Sequence, residues 1–142
     1  MKKTRVAVVM GGVSSEHEVS LKSGTKITEN LDRTVYDVSR IVITKEGLWQ
    51  FDREVCVPIH EAILRLHQHE FDCVFLALHG PFGEDGRIQG LLDLLDVPYV
   101  GSGCGASAIA IDKIRSKALV EHAGMRVARH VLVTRQEWET LA

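Results

Sequence analysis

Two short apolar runs, at residues 4–10 and 71–78, do most to constrain how this chain folds. Each is of strand length and apolar at nearly every position, the pattern of strands covered on both faces of a parallel sheet. Such strands need helices above and below them, and the intervening residues supply the pattern for those helices. Val19, Ser23, Ile27 and Leu31 recur every four residues and predict a helix with one buried stripe. The small Ser23 and Gly24 would let that helix approach the sheet closely, and Ser15 and Glu18 have capping-box spacing. Residues 36–44 predict a second strand, with Val38 and Val42 on one face and Ile41 and Ile43 on the other. Residues 45–47 form a turn signal, and 48–51 fold back as a hairpin arm. Pro58 stands where a helix starts, with Ile59, Ile63, Leu64 and Leu66 as its apolar face. The run at 71–78 is read as a central parallel strand. Asp85 is placed to cap a helix carrying Ile88, Leu91, Leu92 and Leu95, and 97–100 form a fourth parallel strand. The expectation is an α/β, Rossmann-like parallel sheet with helices on both faces, spanning residues 1–102.

Residues 103–142 differ in character. After the glycine-rich 101–105 link, 106–122 read as one helix with Gly124 in the C′ position. Residues 127–133 alternate like a half-buried strand, and Thr134 and Glu137 have capping-box spacing for a helix in which the chain ends. This is the expected start of a second, incomplete domain.

Composition narrows the functional classes. Hydrophobic residues make up 45% and charged residues 25%, an ordinary globular balance. A formal net charge of −2 gives no basic field for nucleic acid. No apolar run approaches the roughly 20 residues of a membrane helix. The run at 6–10 is too short for a signal-peptide core, so a cytoplasmic protein is expected. Cys56, Cys73 and Cys104 are too few and too dispersed for a disulfide framework or a zinc knuckle, and Cys73 reads as a buried, inert thiol.

In open parallel sheets, ligands bind beyond the carboxyl ends of the strands. With the first three parallel strands in order 2-1-3, the loops at 11–15 and 79–86 face each other across a crevice. The first loop lacks the Gly-x-Gly-x-x-Gly spacing of a dinucleotide fingerprint and the Gly-Lys-Ser/Thr of a P-loop. Glu16 and Glu18 at the following helix start would repel phosphate and suit an ammonium group better. Glu18 is accounted for as the capping-box partner, whereas Glu16 fits either a solvated acid or a ligand contact. His79 fits either a structural histidine bonded to loop backbone or a donor to a ligand carboxylate. His60, His67 and His69 lie on or after a short amphipathic helix and read as a solvated face, not as metal ligands. Lys113, Arg115 and Lys117 read on periodicity as an exposed helix face.

Four segments appear in order: Gly11-Gly-Val-Ser-Ser-Glu-His-Glu-Val-Ser20, Ala77-Leu-His-Gly-Pro-Phe-Gly-Glu-Asp-Gly-Arg-Ile-Gln-Gly90, Pro98-Tyr-Val-Gly-Ser-Gly103 and Asp112-Lys-Ile-Arg-Ser-Lys117. Together they strongly resemble the D-alanine–D-alanine ligases of the ATP-grasp superfamily. The resemblance implies that 1–102 are the N-terminal substrate domain and that 103–142 begin the central ATP-grasp domain. It implies a reaction in which ATP, with magnesium, phosphorylates one D-alanine and the amine of a second attacks, forming a peptidoglycan precursor. By position, Glu16 would orient the first D-alanine and Val19 would line its pocket. His79, with Gly80, would lie at its carboxylate and developing oxyanion, and Lys113 would reach ATP phosphates. No metal ligand is expected in this chain, which is expected to be inactive alone and to form a homodimer through the N-terminal domain. A ligase joining D-alanine to D-lactate or D-serine, and a non-catalytic binding or dimerisation module, are the alternatives.

Overall fold

The computed structural model describes residues 2–68 and 71–141. Five strands, β1 (Thr4–Gly11), β2 (Tyr36–Ile43), β3 (Trp49–Phe51), β4 (Cys73–Leu76) and β5 (Tyr99–Val100), form one sheet in the order β3-β2-β1-β4-β5. All pairings are parallel except β2 with β3, the hairpin arm expected from the turn at 45–47. The run at 71–78 shortens to β4 and lies inside the sheet, while β1 takes the middle and places Val6–Val9 beside Cys73–Leu76.

Alternation along β1 divides the core. Ala7 and Val9 join Ile41, Ile43 and Val74 under α2 (Ile59–His67) and α3 (Arg87–Leu94), which contribute Ala62, Leu66, Ile88 and Leu92. Val8 and Met10 join Val38 and Ala77 on the opposite face, under Leu21, Ile27 and Leu31 of α1 and its C-terminal end. Helices therefore cover both faces, as the doubly apolar strands require.

The α1 helix (His17–Asn30) turns the expected stripe by one residue. Ser20, Gly24 and Thr28 are buried, whereas Val19 is 53% exposed. Close approach decides this: a Cβ on Gly24 would stand 2.6 Å from the Met10 Cβ, so the glycine must face the sheet. On α2 the small Ala62 and Leu66 face inward, leaving Ile59 and Leu64 exposed, contrary to the expected apolar face. Leu64 lies two residues, about 200° of helix rotation, from Ala62. Asp85 does reach the first turn of α3, accepting from Arg87 N at 3.2 Å, while Gly86 occupies the cap position with φ +90°.

Residues 106–122 are not one helix. α4 (Cys104–Ile111) and α5 (Lys113–His122) meet at Asp112, whose carboxylate accepts from the Ile114 and Arg115 amides at 3.0 Å each. An aspartate offering this cap starts a new helix in preference to extending the old one. At the far end, Met125 N to Val120 O and Gly124 N to Glu121 O complete a Schellman motif, with Gly124 at φ +80°. Residues 127–133 form no strand and are largely exposed, because no strand among the described residues runs beside them to complete a ladder. The capping box at Thr134 and Glu137 does form, opening α6 (Arg135–Leu141).

At the bottom of the sheet, Arg5 grips Asp72 with its guanidinium and its backbone amide, holding the carboxyl well below its ordinary range. A depressed carboxylate pKa contributes stability that is complete above about pH 4 and lost as pH falls through the lower, folded value. Asp72→Asn is therefore expected to lower Tm at pH 7, by an amount that shrinks steadily as pH falls below about 4, measured by thermal melts across that range.

Candidate active site

The carboxyl ends of β1 and β4 carry the two loops. β1 ends in Gly11, and Gly12 follows it, at φ +88° and +95°. Gly11 is tied down by Ser20, whose hydroxyl accepts from Gly11 N at 2.8 Å and donates to Ala77 O at 2.7 Å. One fully buried hydroxyl thus joins the first loop, α1 and the end of β4. His17, also buried, donates from Nδ1 to Gly12 O at 2.7 Å.

The loops then meet directly. Ser14 donates to His79 O at 2.8 Å and accepts from Glu16 N at 3.2 Å. Ser23, in the second turn of α1, lies 3.1 Å from His79 Nε2. On the other side of the ring, Glu84 Oε1 stands 3.7 Å from Nδ1, and Glu84 Oε2 accepts from Gly80 N at 2.8 Å. The imidazole is thereby held between a hydroxyl and a carboxylate. Phe82, in the same turn, has φ +69°, an unusual conformation held by Phe82 N donating to Asp85 at 2.8 Å.

Glu16 reaches this turn. A Cβ on Gly80 would run into the Glu16 carboxylate and stand 3.4 Å from Ser14 Oγ, so the glycine, at φ +70°, leaves room for the acid. The capping box expected at Ser15 and Glu18 is absent. Glu16 itself takes the N-cap position with φ −90° and ψ 12°, outside the extended geometry that a side-chain cap needs. Glu18 turns away to Lys45 at 3.0 Å, and that cation lowers its pKa. Glu16 is left exposed, and its carboxylate has no hydrogen bond or ion pair among the described residues. Val19 lies between Glu16 and Ser23 at helical spacing, on the stripe that reaches the His79 loop.

Two crevices flank His79. One, about 410 Å³, is mostly apolar and bordered by Gly12, Val13, Trp49, Ile59 and Phe82. The other, about 440 Å³, lies toward α4 and is bordered by His79, Glu84, Gln89, Ser102 and Ser107.

Glu16, His79 and Gly80 are thus brought together; Val19 follows Glu16 along α1 but is exposed and borders neither crevice, and Lys113 borders neither of them. It lies exposed at the first turn of α5, where the Asp112 carboxylate already occupies two of the terminal amides. A phosphate would meet Lys113 there as a single point charge. His60 and His67 stand seven residues apart on α2, about 10 Å along its axis, and His69 lies outside the described residues. No cluster of three or more His, Cys, Asp or Glu side chains placed to hold a metal ion occurs among the described residues. Ser14, Ser20, Ser23 and Glu84 were not singled out from sequence as site residues. Ser20 and Ser23 do follow Glu16 at helical intervals of four and seven, the one signal that pointed to them.

A family model described as the D-Ala–D-Ala ligase N-terminus matches residues 5–102. The chain belongs to the D-alanine–D-alanine ligase family. The D-alanine–D-alanine ligase of Chloroherpeton thalassium is 40% identical over 168 residues, covering 98% of this chain and 46% of that protein. That of Deinococcus radiodurans is 41% identical, covering 96% and 43%. Among solved structures, the D-alanine–D-alanine ligase from Coxiella burnetii superposes with a TM-score of 0.79 at 31% identity, over 94% of this chain and 46% of that one. The VanG D-Ala:D-Ser ligase from Enterococcus faecalis gives 0.77 at 31%, over 98% and 47%. The chain spans less than half the length of the relatives it matches. No helix among its described residues is long and apolar enough to cross a membrane.

Proposed function

We propose that residues 1–102 are the first-substrate domain of a cytoplasmic ATP-grasp ligase that joins D-alanine to a second D-alanine for peptidoglycan precursors. Residues 103–142 begin its central domain, a division supported by the end of the family match at 102. The observation that carries the reading is the unpaired Glu16 carboxylate lying against the turn that presents His79.

That arrangement suits one amino acid of defined hand. Glu16 takes the ammonium group, His79 donates to the carboxylate, and Val19 meets the methyl group. Gly80 keeps the space between acid and imidazole open. ATP supplies the phosphoryl group that gives the substrate carboxylate a leaving group. The incoming amine then adds to the acyl carbon and phosphate departs. While negative charge builds on the acyl oxygen, His79, steadied by Ser23 at Nε2, donates from Nδ1, which makes no hydrogen bond to Glu84 at 3.7 Å. Lys113 contributes a charge to the ATP phosphates. A homodimer through the N-terminal domain accords with Ile59 and Leu64 being exposed on α2. The likeness to a D-Ala:D-Ser ligase supports a first-substrate domain common to ligases with different second substrates.

Titration of the ¹⁵N-labelled chain tests the pocket. D-alanine is expected to shift the Gly80 and Ser23 amides saturably, and L-alanine to bind at least about fivefold more weakly, the effect of one misplaced contact worth about 1 kcal/mol. Equal binding of both hands would refute the assignment of three contacts.

A further inference from the structure

We propose that Glu84 is a positioning residue: its carboxylate keeps the proton of neutral His79 on Nδ1, the nitrogen that serves the substrate. The inference rests on the first-substrate reading above and deepens it by assigning the group that selects the donor atom. The Glu84 side chain is anchored at one oxygen. Oε2 accepts from Gly80 N at 2.8 Å, and Oε1 stands 3.7 Å from His79 Nδ1. An ionised carboxylate offers only lone pairs. At this range it makes no hydrogen bond to the ring, but its charge attracts an N–H at Nδ1 and repels a bare lone pair there.

The opposite edge of the imidazole permits either tautomer. Ser23 Oγ lies 3.1 Å from Nε2, and a hydroxyl both donates and accepts. It therefore follows the choice made at Nδ1, donating to Nε2 when Nδ1 holds the proton. Glu84→Gln should reverse that choice. Gly80 N–H needs an acceptor, so the new amide keeps its oxygen there and turns its NH₂ group toward Nδ1. A donor now faces Nδ1, and the proton moves to Nε2, from which it reaches Ser23 Oγ. His79 would then present a lone pair to the substrate carboxylate, although the ring itself had not moved.

Long-range ¹H–¹⁵N spectra of the labelled, ligand-free chain at about pH 9, above the ordinary imidazole range, read the tautomer from the two ring nitrogens. Nδ1–H is expected as the major form in wild type. In Glu84→Gln the ratio of Nδ1–H to Nε2–H should fall at least about fivefold, the scale of one hydrogen bond, leaving Nε2–H the major form. Glu18→Gln removes the same charge from a carboxylate paired with Lys45 and should leave the ratio unchanged. A major Nε2–H form in wild type, an unaltered ratio in Glu84→Gln, or an equal fall in Glu18→Gln would each overturn the proposal. Should Glu84→Gln fail to fold, the wild-type tautomer decides it. The spectra need no substrate, so a failure of D-alanine to bind would refute the first-substrate reading and leave the tautomer as measured.

Discussion

Glu16→Gln is expected to weaken D-alanine binding by about 10- to 100-fold while leaving Tm unchanged. The range is that of one hydrogen bond to a charged group, roughly 1.5–3 kcal/mol, lost when a neutral amide replaces the carboxylate facing an ammonium. Two features make the substitution clean. The Glu16 side chain makes no capping bond, and it is exposed, so folding does not depend on its charge. Glu18→Gln is the internal control. Its carboxylate pairs with Lys45 on an open surface and should not affect binding. Calorimetry and amide shifts with both variants would check this, and equal D-alanine affinity in wild type and Glu16→Gln would remove Glu16 from the site.

Gly11→Ala should be among the most damaging single-methyl changes in the chain. The residue has φ +88°, a conformation that costs an alanine about 1–3 kcal/mol. The new Cβ would also run into Ile43 O, the acceptor for Gly12 N at 2.8 Å, and would stand 3.1 Å from the His17 ring. Relief requires β1 and β2 to separate at their carboxyl ends, where the site is built. A total loss of about 3–5 kcal/mol is expected. At this chain length that is a fall in Tm on the order of 10–15 °C. Thermal and denaturant unfolding would measure it, and a Tm within 2 °C of wild type would show that the turn relaxes freely.

The sheet was legible because its determinants are local. Doubly apolar strands, the 45–47 turn and the Thr134–Glu137 box each declare themselves within a few residues. What failed depended on partners far along the chain. The α1 stripe was misplaced because periodicity favours Val19 over Ser20, whereas packing against Met10 needs the Ser20–Gly24–Thr28 edge. The Ser15–Glu18 box failed because Lys45, from the β2–β3 turn, takes Glu18. The helix over 106–122 broke because Asp112 has a cap to offer that hydrophobic spacing does not register. Glu16 and His79 were legible as isolated residues. The Ser14, Ser23 and Glu84 contacts that hold His79 required knowing which loops face each other.

The break at Asp112 has a mechanical consequence. α4 packs closely on the sheet domain: a Cβ on Gly86 would stand 2.6 Å from Cys104 O, and one on Gly90 3.3 Å from Cys104 Sγ. α5 begins one residue later, joined through a single extended residue with φ −83° and ψ 99°. Rotation about that one residue would swing Lys113 and everything beyond it as a lever, while Ser107, Gln89 and the D-alanine loops stayed at rest. That joint stands one helix beyond the point where the family match ends, and the first charge after it is Lys113.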